Sequence, residues 1–334
     1  MAEKKKINWV IILQGWAMFL VVIGHAFLGT AGEGPKWENA LFHFAYSFHM
    51  PLFMLVSGWL FYLTRLKIND LDGGGYYWSY GKIVKDKALR LLLPGLVFSV
   101  IAFLVKVAFP SEMSRQVGLS ADEVFHSFLY PNDNPFRELW FIVTLFWFFL
   151  LTPIWRFLLS KRWLSLLAIV VLTLLHFNHP STDLFCIWRV FVFAIWFYLG
   201  LLISKEEIVD KWFAKKPLLT FIIGVVIYVI GKYTNPFVTT MGGIVFSFAF
   251  ALLADKYLPK LFFSFRDYTY QIFLIGIFAQ MFVKIMYRHI SMPYVVAYLL
   301  CIVLGLYVPV LVSKLIEKIN WKPLLLCVGL KPKK

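Results

Sequence analysis

The sequence predicts an all-α, polytopic membrane protein of about ten transmembrane helices with both termini on the inner side. Three observations carry that prediction. The 334-residue chain is 60% hydrophobic and only 15% charged, with a mean hydropathy of +0.75, whereas soluble domains carry about 25% charged residues. Its apolar runs recur at the roughly 17–25 residues that a helix needs to cross a bilayer. Its Lys and Arg residues gather on one side of those runs, as the positive-inside rule requires.

In chain order, the spans are expected at 8–28, 41–64, 88–109, 138–158, 163–178, 186–204, 217–234, 238–254, 268–288 and 293–316. The first follows a basic start, "MAEKKK", but its apolar stretch is too long for a signal-peptide core and more spans follow, so it reads as a retained helix. The second carries Pro51 and the third follows the basic "KDKALRLLLP". Glu138 opens the fourth in "FRELWF", and the fifth ends in "HFNH". The connections 65–87 and 110–137 are long enough for short interfacial helices but not for a domain. With no internal repeat or soluble segment, the chain reads as one integral-membrane domain, 1–334.

With the N-terminus inside, 25 of the 33 basic residues fall on the inner side, six outside and two within spans; the acids divide ten to eight. The net charge of +15 is therefore a topology signal suited to anionic lipid headgroups, and no nucleic-acid partner is expected. Cys186, Cys301 and Cys327 have no paired spacing, which supports neither a disulfide framework nor a CxxC metal site.

Four ionisable residues are expected in the outer layer. His25 lies 18 residues after Ile7, or ~27 Å at 1.5 Å per residue, near the far edge of a ~30 Å hydrocarbon core. His49, Glu138 and Arg189 approach the same layer from three other spans. An ionisable group inside a span is by default a functional-site hypothesis. Plainer roles stay open for each. His25 can bond a neighbouring helix, and His49 can satisfy the backbone that Pro51 disrupts. Glu138 can stabilise a helix start, and Arg189 can snorkel or pair with Asp183. His43 reads as structural.

Gln14 and His25 are eleven residues apart, only about 20° beyond three full turns and ~16 Å along the axis. They line one stripe, which suits a long, narrow ligand. Lys87 and Arg90 share a face at the start of the third span, where snorkelling cations are also expected. His176 and His179 have ligand spacing but no carboxylate or HExxH context, so no metal is expected. "DGGGYYWSYGK" lacks the strand–helix frame of a nucleotide loop.

Five phrases in order, on a ten-span plan, resemble the acyltransferase family 3 membrane proteins. They are "ILQGWAMFLVVIGHAF", "FHMPLFMLVSGWLF" around Phe53, Ser57 and Gly58, "KALRLLLPGL", "RELWFIVTLF" and "DYTYQIFLIGIF". The resemblance departs at two places. The family commonly has a cation where this chain has Gln14, and often a histidine where it has Gly276.

The resemblance implies an O-acyltransferase of the plasma (inner) membrane, most simply an acetyltransferase, moving an acyl group from acyl-CoA to a hydroxyl of an envelope glycan or its sugar precursor. It implies His25 as general base, with Glu138 or His49 orienting it or stabilising its charged form. Lys87, Arg90 and the Gln14 position would face the donor, and Ser57 and Arg189 the acceptor. Expected partners are acyl-CoA, a glycan or sugar, membrane lipids and the proteins of envelope glycan synthesis. A carrier or exporter of lipid-linked sugar, with the same polar groups lining a pathway, is the alternative. The absence of repeated halves counts against it.

Overall fold

The computed structural model describes residues 7–29, 34–67, 76–112 and 120–331; the basic N-terminal tail, the glycines of 72–75 and Arg115 lie outside these. Helices run in the order α1 (Asn8–His25), α2 (Lys36–Tyr46), α3 (His49–Phe61), α4 (Tyr76–Lys87), α5 (Leu93–Ala108), α6 (Ala121–Leu129), α7 (Leu139–Leu150) and α8 (Thr152–Leu159). They continue as α9 (Arg162–Phe177), α10 (Ile187–Lys205), α11 (Pro217–Thr234), α12 (Pro236–Tyr257), α13 (Thr269–His289), α14 (Tyr294–Ile319) and α15 (Lys322–Cys327). No strand occurs among the described residues.

Eight helical stretches among these residues are long and apolar enough to cross a membrane. The pair α7 and α8, bent by 55°, makes a ninth if taken as one span, and the apolar α9 falls on the expected span 163–178. The chain is therefore an all-α polytopic membrane protein. The second span begins at Lys36 rather than at 41 and is interrupted between α2 and α3. The third begins at Tyr80 rather than at 88. A widened π turn, Ala88–Leu92, lies just before Pro94. In a regular helix the Pro94 ring would collide with the Arg90 carbonyl, and the wider turn absorbs it.

The chain forms two compact units, residues 1–56 with 206–314 and residues 57–205 with 315–334. The first is built round α1, which is buried along most of its length. Met18 and Val22 pack with Phe265, Ile272, Leu306 and Val310. At the other end of α1, Asn8 Nδ2 donates to Asp255 Oδ1 at 2.5 Å, and midway along it Trp16 Nε1 donates to Ser247 Oγ at 3.1 Å. α11 and α12 meet backbone to backbone: a Cβ at Gly224, Gly231 or Gly242 would run into the main chain of the opposite helix. Close approach through small residues is how helices associate where lipid removes the hydrophobic drive.

In the second unit, Phe197 of α10 packs among Phe148, Phe149 and Trp155. Gly58 is pressed against its carbonyl, where a Cβ would collide with main-chain oxygen. The bend between α7 and α8 follows from Pro153, which has no amide to offer the Phe149 carbonyl. Side chains replace what the bend removes. Thr152 Oγ1 donates to Phe149 O at 2.5 Å, Tyr80 Oη to Leu150 O at 2.8 Å and Trp155 Nε1 to Phe148 O at 2.7 Å. Broken helices persist at membrane depth when such donors are present.

Candidate functional site

His25 is the last residue of α1, so the final carbonyls of its helix lack their regular amide partners, apart from Ile23 O, which accepts the Ala26 amide at 3.1 Å. Side chains from two later helices reach them. Gln280 Nε2 donates to Val22 O at 2.8 Å, Tyr298 Oη to Ile23 O at 3.4 Å and Lys284 Nζ to the carbonyl of His25 itself at 2.9 Å. The Lys284 ammonium also lies 4.3 Å from the centre of the Phe27 ring. The position of the imidazole is thereby tied to α13 and α14.

The His25 ring faces Tyr46, with ring centres 5.8 Å apart and Nε2 3.5 Å from the phenol oxygen. Tyr46 in turn meets His49 edge-on at 4.8 Å and stacks on Phe42 at 4.1 Å. Its ring lies against Gly24, where a Cβ would come within 2.8 Å of Cε2. His49 is buried, and its Nδ1 donates to the Ala45 carbonyl at 2.8 Å, leaving Nε2 as the accepting nitrogen. The Ser47 carbonyl, which Pro51 cannot serve, accepts from Thr240 Oγ1 at 2.7 Å. His25 and His49 are thus brought together through one tyrosine, and the carbonyl that Pro51 leaves is served by Thr240 rather than by His49, which bonds the Ala45 carbonyl instead.

Gln14 is half-buried on the same helix. Its neighbour Gly15 forms a seat where a Cβ would lie 3.0 Å from Phe262 Cβ and 3.2 Å from Arg266 Cβ. Gly276 lies against the Gly305 carbonyl, at 2.8 Å from a built Cβ, so a larger residue there meets main chain.

In the second unit, Lys87 lies over the Phe149 ring at 3.7 Å and near Phe61 at 5.7 Å. It also feels the charges of Arg65, Arg90 and Asp86. Arg65 pairs with Asp86 at 3.1 Å. Three cations against one carboxylate make a cluster suited to an anion. Arg189 is held between Trp140 at 4.1 Å and Trp188 at 4.5 Å, bonded to Asn132 and paired with Asp183 at 3.9 Å. The expected pairing with Asp183 is present. Glu138 occupies the N-cap of α7 without bonding the cap amides through its side chain. Ser57 is half-buried, one residue before Gly58.

His176 and His179 turn to separate carbonyls, those of Val192 and Pro180. No group of three metal-ligating side chains occurs among the described residues. The sequence reading does not single out Tyr46, Arg65, Gln280, Lys284 or Tyr298. Of these only Gln280 and Lys284 left a legible signal, two polar residues four apart on one face of an apolar helix.

A family model described as an acyltransferase domain matches residues 7–314. The chain is 33% identical over 97 residues to nodulation protein NolL of Mesorhizobium japonicum, and 32% identical over 98 residues to NolL of Sinorhizobium fredii. These stretches are 28% and 29% of this chain, and the matched stretch spans about a quarter of each relative's length, 23% and 24%. No solved structure matches. The family match takes in α1 with His25, the basic cluster and the helices that cap α1, and so this membrane protein belongs to acyltransferase family 3.

Proposed function

We propose that the protein is a membrane O-acyltransferase that moves an acyl group, most simply acetyl, from acyl-CoA to a hydroxyl of a cell-envelope glycan or its sugar precursor. The observation that carries this reading is the imidazole of His25 at a side-chain-capped helix end, against Tyr46, in a chain of this family. Acyl-CoA is a donor substrate. The protein acts as one domain in the inner membrane, with its termini inside.

His25 Nε2 takes the proton of the acceptor hydroxyl as its oxygen attacks the thioester carbonyl carbon. The ester C–O bond forms and the thioester C–S bond breaks. The proton passes from the imidazole to the departing CoA thiolate. A general base of near-neutral pKa suits that sequence of transfers. Either His49, which meets His25 through Tyr46, or Glu138 would orient His25 or stabilise its protonated form.

Lys87 and Arg90, with Arg65 added by the structure's charge cluster, hold the donor's phosphates from the cytosolic side through charge-assisted bonds. The Gln14 side chain meets amides of the pantetheine arm. Ser57 and Arg189 serve the acceptor, Arg189 through the indoles it stacks on.

The test is release of free CoA by purified protein given acetyl-CoA and a glycan acceptor. His25→Ala is expected to reduce release by about 10²–10⁴-fold. Equal release by both proteins, above a protein-free blank, overturns the assignment of the base. No release with any acceptor favours the carrier.

A further inference from the structure

Glu38, in the first turn of α2, is 3% exposed. Its Oε2 accepts a 2.5 Å hydrogen bond from the Tyr294 hydroxyl, while its Oε1 is buried with no hydrogen-bond partner among the described residues. The seat is built for the carboxylate: a Cβ at Gly34 would overlap Oε2, so only a glycine lets it lie against the main chain. A carboxylate offers four acceptor sites, and a buried acceptor left unpaired carries its full desolvation penalty. Such a group in a folded protein calls for an explanation.

The surroundings narrow what completes it. Trp37, the preceding residue, is 39% exposed and presents a ring held edge-to-face by Tyr298 at 4.9 Å and Tyr294 at 6.2 Å. Tyr298 donates to the carbonyl of Ile23, two residues before His25. The cluster therefore borders the end of α1 that carries the imidazole. An accessible indole plane beside an acceptor-only carboxylate matches a sugar, whose C–H face packs on the ring and whose hydroxyls donate. A few convergent polar groups on an aromatic wall is the usual make-up of a small-molecule site. A metal ion fits less well, because no third ligating side chain joins the carboxylate among the described residues.

We propose that Glu38, Tyr294 and Trp37 form the acceptor-sugar subsite, with Glu38 Oε1 accepting a hydrogen bond from a hydroxyl that is not acylated. This rests on the acyltransferase reading for its position beside His25, but the binding it claims is independent of turnover.

The experiment measures both. Full-length protein is titrated with the methyl glycosides of glucose, galactose and N-acetylglucosamine, followed by saturation-transfer NMR, for wild type, Glu38→Gln, Trp37→Ala and His25→Ala. Wild type is expected to bind at least one glycoside, and His25→Ala to keep measurable binding while losing turnover. Glu38→Gln and Trp37→Ala are expected to weaken it about tenfold or more, the loss of one charge-assisted bond or one stacked ring. In the CoA-release assay, Glu38→Gln raises the acceptor KM by the same factor and leaves the acetyl-CoA KM unchanged.

Equal glycoside binding by wild type and Glu38→Gln overturns the subsite, as does wild type that binds no glycoside. Equal losses in the two KM values also overturn it, since a purely structural carboxylate predicts that. If Glu38→Gln fails to fold, the exposed Trp37→Ala decides in its place. Binding intact in wild type with no acyl transfer sinks the enzyme reading alone.

Discussion

Among the places where carbonyls within apolar spans lose their helical amides, the end of α1 and the bend between α7 and α8 are repaired differently. At the end of α1 the donors come from α13 and α14 and include an ammonium and a carboxamide. At the bend between α7 and α8 they are a threonine, a tyrosine and an indole, two of them within a few residues of the break. The bend is thus repaired largely by neutral groups close at hand. The α1 end is held by polar groups that a membrane helix carries only at a penalty. Lys284 brings a charge to the His25 carbonyl, as Lys205 does to the Leu159 carbonyl at the end of α8, whereas none of the three donors at the bend is charged.

Cations do appear near the bend, but on ring faces. Lys87 sits on Phe149, the residue whose carbonyl Thr152 serves. Removing both Lys87 and Arg90 by Ala substitution is expected to weaken acetyl-CoA binding by about 100-fold, two charge-assisted bonds' worth, as read by equilibrium binding. Unchanged donor affinity returns both residues to the role of headgroup anchors. Lys284→Met is expected to lower kcat about tenfold, because a slightly displaced base loses much of its positional advantage, while the thermal midpoint moves little. A fall in stability with kcat intact would make the two repairs alike after all.

Stability separates the regions further. Gly58→Ala forces a methyl group into the Phe197 carbonyl and is expected to cost about 1–3 kcal/mol in a thermal or denaturant melt. Gly29→Ala, with nothing within 4 Å, is the control and should lie within about 0.5 kcal/mol of wild type. Thr152→Val removes one neutral donor from the bend and should cost only about 0.6 kcal/mol. A much larger loss would mean that the bend depends on that hydroxyl rather than sharing the load.

The spans were legible because each apolar run is a direct consequence of bilayer thickness. Their breaks were less so. Pro153 and Pro94 are visible in the sequence, but whether a proline bends a helix or is absorbed in a widened turn depends on which donors stand nearby. His25, His49, Lys87 and Arg189 were identifiable as ionisable groups in or beside spans. Tyr46 was not, since a tyrosine near an interface is ordinary and only packing sets it between two imidazoles. Glu38 counted only as one of the outer acids, because burial, not residue type, distinguishes it.

The capping of α1 has a consequence for biogenesis. The groups that set His25 lie more than 250 positions further along the chain. During synthesis the opening helix enters the bilayer long before Gln280, Lys284 and Tyr298 leave the ribosome. The imidazole gains its final surroundings only once α13 and α14 are inserted, so a chain that has not reached them lacks the capped end of α1.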